Sequence, residues 1–281
     1  MKTKGAKRTM NVLAMVGGVL LAVLFVGWLG FQVAPAPFAS YPEAGAREFR
    51  TVPLPTSLPK PVERFYRLTY GDEVPVVDSV VITGAARIRP FGMWLPGRFR
   101  FTHDAGRGYR HYIEATWFGL PLMRVNERYV DGRSLMELPW TTEHGPKVEQ
   151  AANLGMWAEL SSAAPSVLLT DPRVKWEPVD DDTALLRVPL GDSGTDTFVA
   201  RFDPNTGSIA SLEAMRYQES KSSAKILWTA LIEPGPKVGA FDLPSTGSAT
   251  WSTQGAPWAV FTTQDLRYNV DVSAYLRAKG Q

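Results

Sequence analysis

The chain of 281 residues carries 30 Lys and Arg against 28 Asp and Glu and contains no cysteine, which excludes disulfides, thiolate metal sites and a lipid anchor on cysteine. Four of the basic residues, Lys2, Lys4, Lys7 and Arg8, stand ahead of the first apolar run. Setting them aside leaves 26 basic against 28 acidic residues, a near-neutral balance that argues against a nucleic-acid partner.

Residues 12–31 are twenty apolar or glycine residues in succession. At ~1.5 Å per helical residue the run spans roughly 30 Å, the thickness of a bilayer's hydrocarbon core. The basic residues before it predict a cytoplasmic tail over 1–11 and a single-pass signal-anchor helix over 12–31 in the cytoplasmic (inner) membrane, with the rest of the chain extracytoplasmic. Trp28 and Phe31 fall near the outer end, where aromatic rings favour the headgroup layer. Ala34-Pro35-Ala36 imitates a cleavage site, but the apolar run exceeds the ~7–15 residues of a signal-peptide core and Pro37 would follow the cut directly, so an uncleaved anchor is expected. Ala14, Gly18 and Ala22 repeat at four-residue spacing, which admits close approach of a second helix; the oligomeric state stays open.

Prolines at 35, 37, 42, 53, 55 and 59 predict an extended linker over 32–60, one that holds the domain off the membrane or packs partly on it. Residues 61–281 then read as a single β-rich domain. It opens on a short amphipathic helix over 61–70, with Val62, Phe65 and Tyr66 at helical spacing behind Pro61. Period-two alternation predicts strands over 79–89 and 98–102, then 109–118 and 122–130 joined by Gly119-Leu120-Pro121, and 133–138 after Asp131-Gly132. Between 146 and 164 the alternation gives way to an alanine- and leucine-rich helix ending at Pro165, with a further turn at 167–170. Strands resume over 174–179, 183–190, 197–203, 208–217 and 224–232, and others close the domain between 249 and 272. About ten or eleven strands without βαβ alternation predict a mainly β fold: a transmembrane helix followed by a curved antiparallel sheet covered by short helices.

No motif names a reaction. Gly191-Asp192-Ser193-Gly194 imitates the nucleophile segment of trypsin-like proteases but stands where a hairpin turn is needed, and no histidine signature accompanies it. Of the three histidines, His103 and His111 approach each other if their strands pair, and Asp104 or Glu114 would then complete a metal site. Dense ligand spacing of the His-Glu-x-x-His kind is lacking, so both are expected as sheet-surface or interface residues with no metal. Asp180-Asp181-Asp182 reads as a solvated turn rather than a calcium loop. Glu114 and Glu127 would make an acid–base pair if they faced one another, but cross-strand pairing with Arg110, Arg124 or Arg128 is the ordinary arrangement. Eight of the nine tryptophans lie after the apolar run. They either fill the core or line an apolar pocket inside the curved sheet.

The stretches Leu58-Pro59-Lys60-Pro61-Val62-Glu63-Arg64-Phe65-Tyr66, Arg128-Tyr129-Val130-Asp131-Gly132, Trp157-Ala158-Glu159-Leu160 and Phe202-Asp203-Pro204-Asn205-Thr206-Gly207 resemble a bacterial family of uncharacterised membrane-associated proteins. That family's architecture is similar to that of the lipoprotein carriers LolA and LolB. The resemblance implies a half-barrel enclosing an apolar cavity for acyl chains, and it assigns no functional residue. The reading is therefore a membrane-anchored extracytoplasmic protein that binds a lipid or other apolar ligand, without cofactor or catalytic residue. Trp94, Phe99, Phe101, Trp117, Trp157, Trp176 and Trp228 are the candidate lining. Two alternatives stand beside it: a scaffold for an envelope protein partner, and a hydrolase using Glu114, Glu127 or His111.

Overall fold

The computed structural model describes residues 2–42, 49–191 and 194–279; Asp192 and Ser193 of the protease-like turn lie outside them. The apolar run forms the last two thirds of α1 (Lys2–Gly30). Its stretch Met10–Gly30, of 21 residues, is long and apolar enough to cross a membrane, and only its last turn, at Gly27 and Gly30, meets the rest of the domain. After β1 (Thr51–Pro53) comes α2 (Lys60–Tyr70), opened by Pro61, which needs no backbone donor there. Pro61, Val62, Phe65 and Tyr66 are its buried stripe.

The first half of the sheet is a meander: β2 (Glu73–Pro75) pairs only with β1, then β3 (Ser79–Ile88), β4 (Leu95–Asp104), β5 (Gly108–Trp117), β6 (Leu120–Val130), β7 (Arg133–Leu138) and β8 (Thr141–His144) each pair with the next. The chain then forms α3 (Pro146–Ala163) and α4 (Val167–Thr170). The second half runs β9 (Lys175–Pro178), β10 (Thr183–Leu190), β11 (Gly194–Phe202), β12 (Ile209–Arg216), β13 (Ile226–Val238), β14 (Leu243–Trp251) and β15 (Ala259–Tyr268), and ends in α5 (Ser273–Leu276). β15 pairs with β3, so the two meanders fuse into one open thirteen-stranded antiparallel sheet whose edges are β8 and β9. Those edges are consecutive in sequence. The segment joining them must cross the whole face of the sheet, which is why α3 lies over it and covers the inner side.

The antiparallel sheet, the covering helices and the N-terminal apolar helix match the expected fold class, with more strands than the sequence count. The largest difference is the hairpin of β13 and β14. The Pro234 to Pro236 stretch reads as a loop, yet the register slips between Glu233 and Lys237, a bulge that admits two prolines into one long strand. The pattern reads as two short strands over 259–263 and 266–272, but β15 runs unbroken to Tyr268, its register shifting between Thr263 and Asp265.

The core lies between the sheet and α2 to α4, where Trp157, Tyr66, Leu154, Met156, Leu160, Phe99 and Phe198 are fully buried. The outer face is covered as well. Residues 31–42 run along it: Phe38 is buried under Arg98 and beside Tyr112, 4.4 and 5.8 Å away. Arg98 and Arg100 donate to the carbonyls of Ala36 and Ala39, and Tyr41 donates to that of Asp271. α5 sits beside this strap against β4 and β5. The proline-rich segment is thus packed on the domain over this length, because its exposed carbonyls meet a row of outward-facing arginines.

Candidate functional site

Strand alternation sorts the residues of β4 and β5 by face. Arg98, Arg100, Arg110, Tyr112 and Glu114 point outward, while Phe99, Phe101, His103, Tyr109 and His111 point inward beneath α3. His103 lies opposite Tyr109, and His111 opposite both Phe101 on β4 and Glu127 on β6. A helix crossing that face brings Glu159 down between the two histidines.

The result is a buried charged cluster. His111 Nε2 is 2.7 Å from Glu159 Oε2, and its Nδ1 is 3.3 Å from Glu127 Oε2. Tyr109 donates to the other oxygen of Glu127 at 2.7 Å. His103 Nε2 comes within 3.0 Å of Glu159 Oε2 but out of line for a hydrogen bond, and its Nδ1 has no partner among the described residues. Burial by itself would push the His111 imidazole down; the carboxylates of Glu159 and Glu127 outweigh it and raise the group to about 9. Burial pushes the Glu159 carboxyl up, and the two histidines beside it reverse this and hold it at about 2. Glu127 is held low in the same way by His111 and Tyr109 against its burial. Burial keeps His103 below its ordinary value, against the pull of Glu159. Arg216, 4.5 Å above the Trp228 ring and donating to the Ala151 carbonyl, adds a second positive charge whose field reaches both glutamates. With His111 and Arg216 positive, Glu127 and Glu159 negative and His103 neutral, the cluster is balanced near neutral pH, the condition under which buried charges are tolerated. One carboxylate oxygen of Glu159 and one ring nitrogen each of His103 and His111 lie within 4.8 Å of one another, a donor set of the type that holds divalent ions.

Glu159 also faces an apolar cleft of about 100 Å³ between α3 and the middle of the sheet, lined by Phe99, Phe101, Trp228, Phe261 and Leu266 among others. A quarter of its side chain is open there. At the end of this cleft lies an open groove of about 610 Å³ with Phe49, Phe65, Tyr70 and Phe241 on its walls and Glu73, Lys237 and Asp242 among its polar residues. Ser162, Ile232 and Pro244 border both spaces.

Of the seven residues named from sequence as candidate lining, Phe99, Phe101 and Trp228 border the cleft. Trp157 is fully buried in the core and Trp176 is half-buried, donating to the Leu168 carbonyl. Trp94 lies under Arg87 and Arg89 on the other side of the sheet, beside Phe31 and Pro35, and Trp117 is at the exposed tip of β5. His103 and His111 are buried beneath the helix and not on the sheet surface. The carboxylate that joins them is Glu159; Glu114 faces outward to Arg98, at 2.8 Å, and to Arg124. Glu114 and Glu127 stand on opposite faces and form no acid pair, and His111 has both ring nitrogens against carboxylates. Asp181 and Asp182 pair with Lys60 and Arg64. The sequence marks Glu159 only as a charge between Ala158 and Leu160 in an apolar helix; its partners come from β4 and β5.

The model of a family described as a family of unknown function (DUF6544) matches residues 48–263, from just before β1 into β15. The chain belongs to the DUF6544 family. Among solved structures, this DUF6544 chain is similar to a LolA superfamily protein from Nitrosomonas europaea, at 11% identity and a TM-score of 0.45, over 78% of this chain and 96% of that one. It is also similar to a DUF1329 family protein from Desulfovibrio piger, at 13% identity and a TM-score of 0.41, over 72% of this chain and 90% of that one. No curated protein matches the chain.

Proposed function

We propose that the protein is a membrane-anchored, extracytoplasmic holder of an apolar or amphiphilic molecule, seated in the groove and reaching into the cleft between α3 and the sheet. In this reading residues 1–11 are the cytoplasmic tail, 12–31 span the membrane, 32–60 connect, and 61–281 form the binding domain. The observation that carries it is the pair of adjoining spaces. The groove, at about 610 Å³, falls in the range of small-molecule sites. It meets an inner cleft with Phe99, Phe101, Phe261 and Trp228 on its walls and one carboxylate, Glu159, as its charged group. Apolar walls with a few fixed polar groups are the ordinary composition of a ligand site. An amphiphile would lay its chain against Phe49, Phe65, Tyr70 and Phe241 and keep its polar end near Lys237 and Asp242 at the rim.

The test is native mass spectrometry of the protein released in mild detergent, followed by lipid extraction and displacement of a fluorescent apolar probe. Bound lipid, or a probe displaced by lipid, is the expected result. Ser162→Trp fills the place where groove and cleft meet and should weaken probe binding about tenfold or more with the fold retained, the equivalent of ~1.4 kcal/mol. A chain that is empty on release and takes up no probe would overturn the reading.

A further inference from the structure

The last turn of α1 leaves four carbonyls without helical partners, those of Gly27, Trp28, Leu29 and Gly30. Each of them is satisfied. The amides of Phe31 and Gln32 bond to Trp28 and Leu29, at 3.0 and 2.9 Å. The other two partners come from the tip of the β5–β6 hairpin, 90 residues away: Trp117 Nε1 donates to Gly27 at 2.9 Å, and the Phe118 amide donates to Gly30 at 2.8 Å. The approach is so close that a Cβ on Gly30 would meet the Trp117 ring at 2.0 Å. In hydrocarbon or at its boundary an unpaired carbonyl costs several kcal/mol, so the hairpin completes a helix end that water is not needed to satisfy.

The tip itself is apolar and open. Trp117, Phe118, Leu120 and Leu122 are 38%, 40%, 69% and 54% exposed, and no charged residue occurs between Glu114 and Arg124. The turn is a two-residue one with positive φ at Phe118 (49°) and Gly119 (74°). Asn, Asp or Gly is the usual first residue of such a turn, and an aromatic side chain in that conformation is strained. A soluble hairpin has no reason to place Phe there, whereas an aromatic ring at a bilayer interface is favoured. Trp28, on the turn of α1 whose carbonyls the hairpin meets, is exposed as well.

We infer that the β5–β6 hairpin tip is a second membrane contact, inserted at the headgroup boundary of the bilayer that α1 spans, with Trp117, Phe118, Leu120 and Leu122 in lipid. This rests on the reading of α1 as a membrane anchor and adds an orientation to it. Strand register places the Trp117–Leu120 turn at the same end of the sheet as Ile88 and Ala259. The β13–β14 turn and Gly207, which border the groove, are at the other end. The hairpin therefore holds the domain against the membrane with its groove facing away from it.

The absence of cysteine makes the test direct. Full-length protein carrying Leu120→Cys, Val19→Cys or Asn205→Cys, each labelled with an environment-sensitive fluorophore, is reconstituted into phosphatidylcholine and phosphatidylglycerol vesicles with and without nitroxide-labelled lipid. Val19 probes the span and Asn205 the far end of the domain. The label at Leu120 is expected to lose about half its emission to nitroxide near the headgroups, as an interfacial side chain should, and the label at Asn205 to lose almost none. Quenching at Val19 without quenching at Leu120 would overturn the hairpin contact and leave the anchor standing. No quenching at either would overturn the anchor and the contact with it.

Discussion

Glu159 shows how one side chain can hold three elements together. It projects from α3 onto His111 of β5 and His103 of β4, and His111 in turn leans on Glu127 of β6. Removing a partner leaves a buried charge uncompensated. Glu159→Gln should therefore lower stability by about 1–3 kcal/mol, less than the ~3–5 kcal/mol of a fully buried broken pair because a quarter of the side chain is open. Chemical denaturation would measure it. Changing Glu127 and Glu159 together should cost less than the sum of the two single changes, since both act through His111.

The same cluster sets a pH profile. The His111 imidazole lies at about 9 in the fold against 6.5 unfolded, so its contribution is complete below pH 6.5 and is lost as pH rises through 9. Glu159 lies at about 2 against 4.5, so its contribution is complete above pH 4.5 and is lost as pH falls toward 2. His103, held below 6.5 by its burial, loses its contribution as pH falls below 6.5, so melting temperature should be highest near pH 6.5 and decline on both sides. In the His111→Ala variant the decline on the alkaline side should flatten. A wild-type melting temperature that climbed from pH 6.5 to 9 would contradict the assignment.

At the scale of elements, the strap over 31–42 and the β5–β6 hairpin fix the end of α1 to the domain. Of the two arrangements the prolines allow, a spacer or a segment packed on the domain, the strap takes the second: Phe38 is buried and Arg98 and Arg100 bind its carbonyls. Phe38→Ala should cost about 3 kcal/mol if the strap stays seated, as for other buried aromatic truncations. It should also raise proteolysis between α1 and β1, which limited digestion followed by mass spectrometry would detect. Gly30→Ala should separate α1 from the hairpin, because a Cβ there overlaps the Trp117 ring and the carbonyls of Gly27 and Gly30 then lose their donors. The expected readout is a Trp117 emission shift and faster amide exchange at Phe118, with the rest of the sheet unchanged.

For the whole molecule, the helix over the inner face follows from topology. β8 and β9 are the sheet's two edges and neighbours in sequence, so the chain between them has to span the sheet, and a helix that does so encloses a cleft. Much of this was legible beforehand: the bounds of α3 and α4, most strands of both meanders, and the apolar helix follow from hydrophobic period and from the punctuation of Pro146, Pro165 and Asp131-Gly132. The long hairpin through Pro234 to Pro236 was not, because a bulge is a property of pairing and leaves no local signature. Neither was the site. His103, His111 and Glu127 were visible as residue types, but their sharing of a face with Glu159 depended on register and on where α3 crosses.

The sequence by itself determined that the chain begins with a bilayer-length apolar helix and continues into an antiparallel β domain, since length, charge and period are local quantities that any fold must respect. Only the tertiary structure decided that Glu114 and Glu127 part to opposite faces, that Glu159 completes the histidine pair, and that the hairpin tip closes the end of α1. Each of those depends on strand register or on contact between residues 48 to 90 positions apart, which no local pattern encodes.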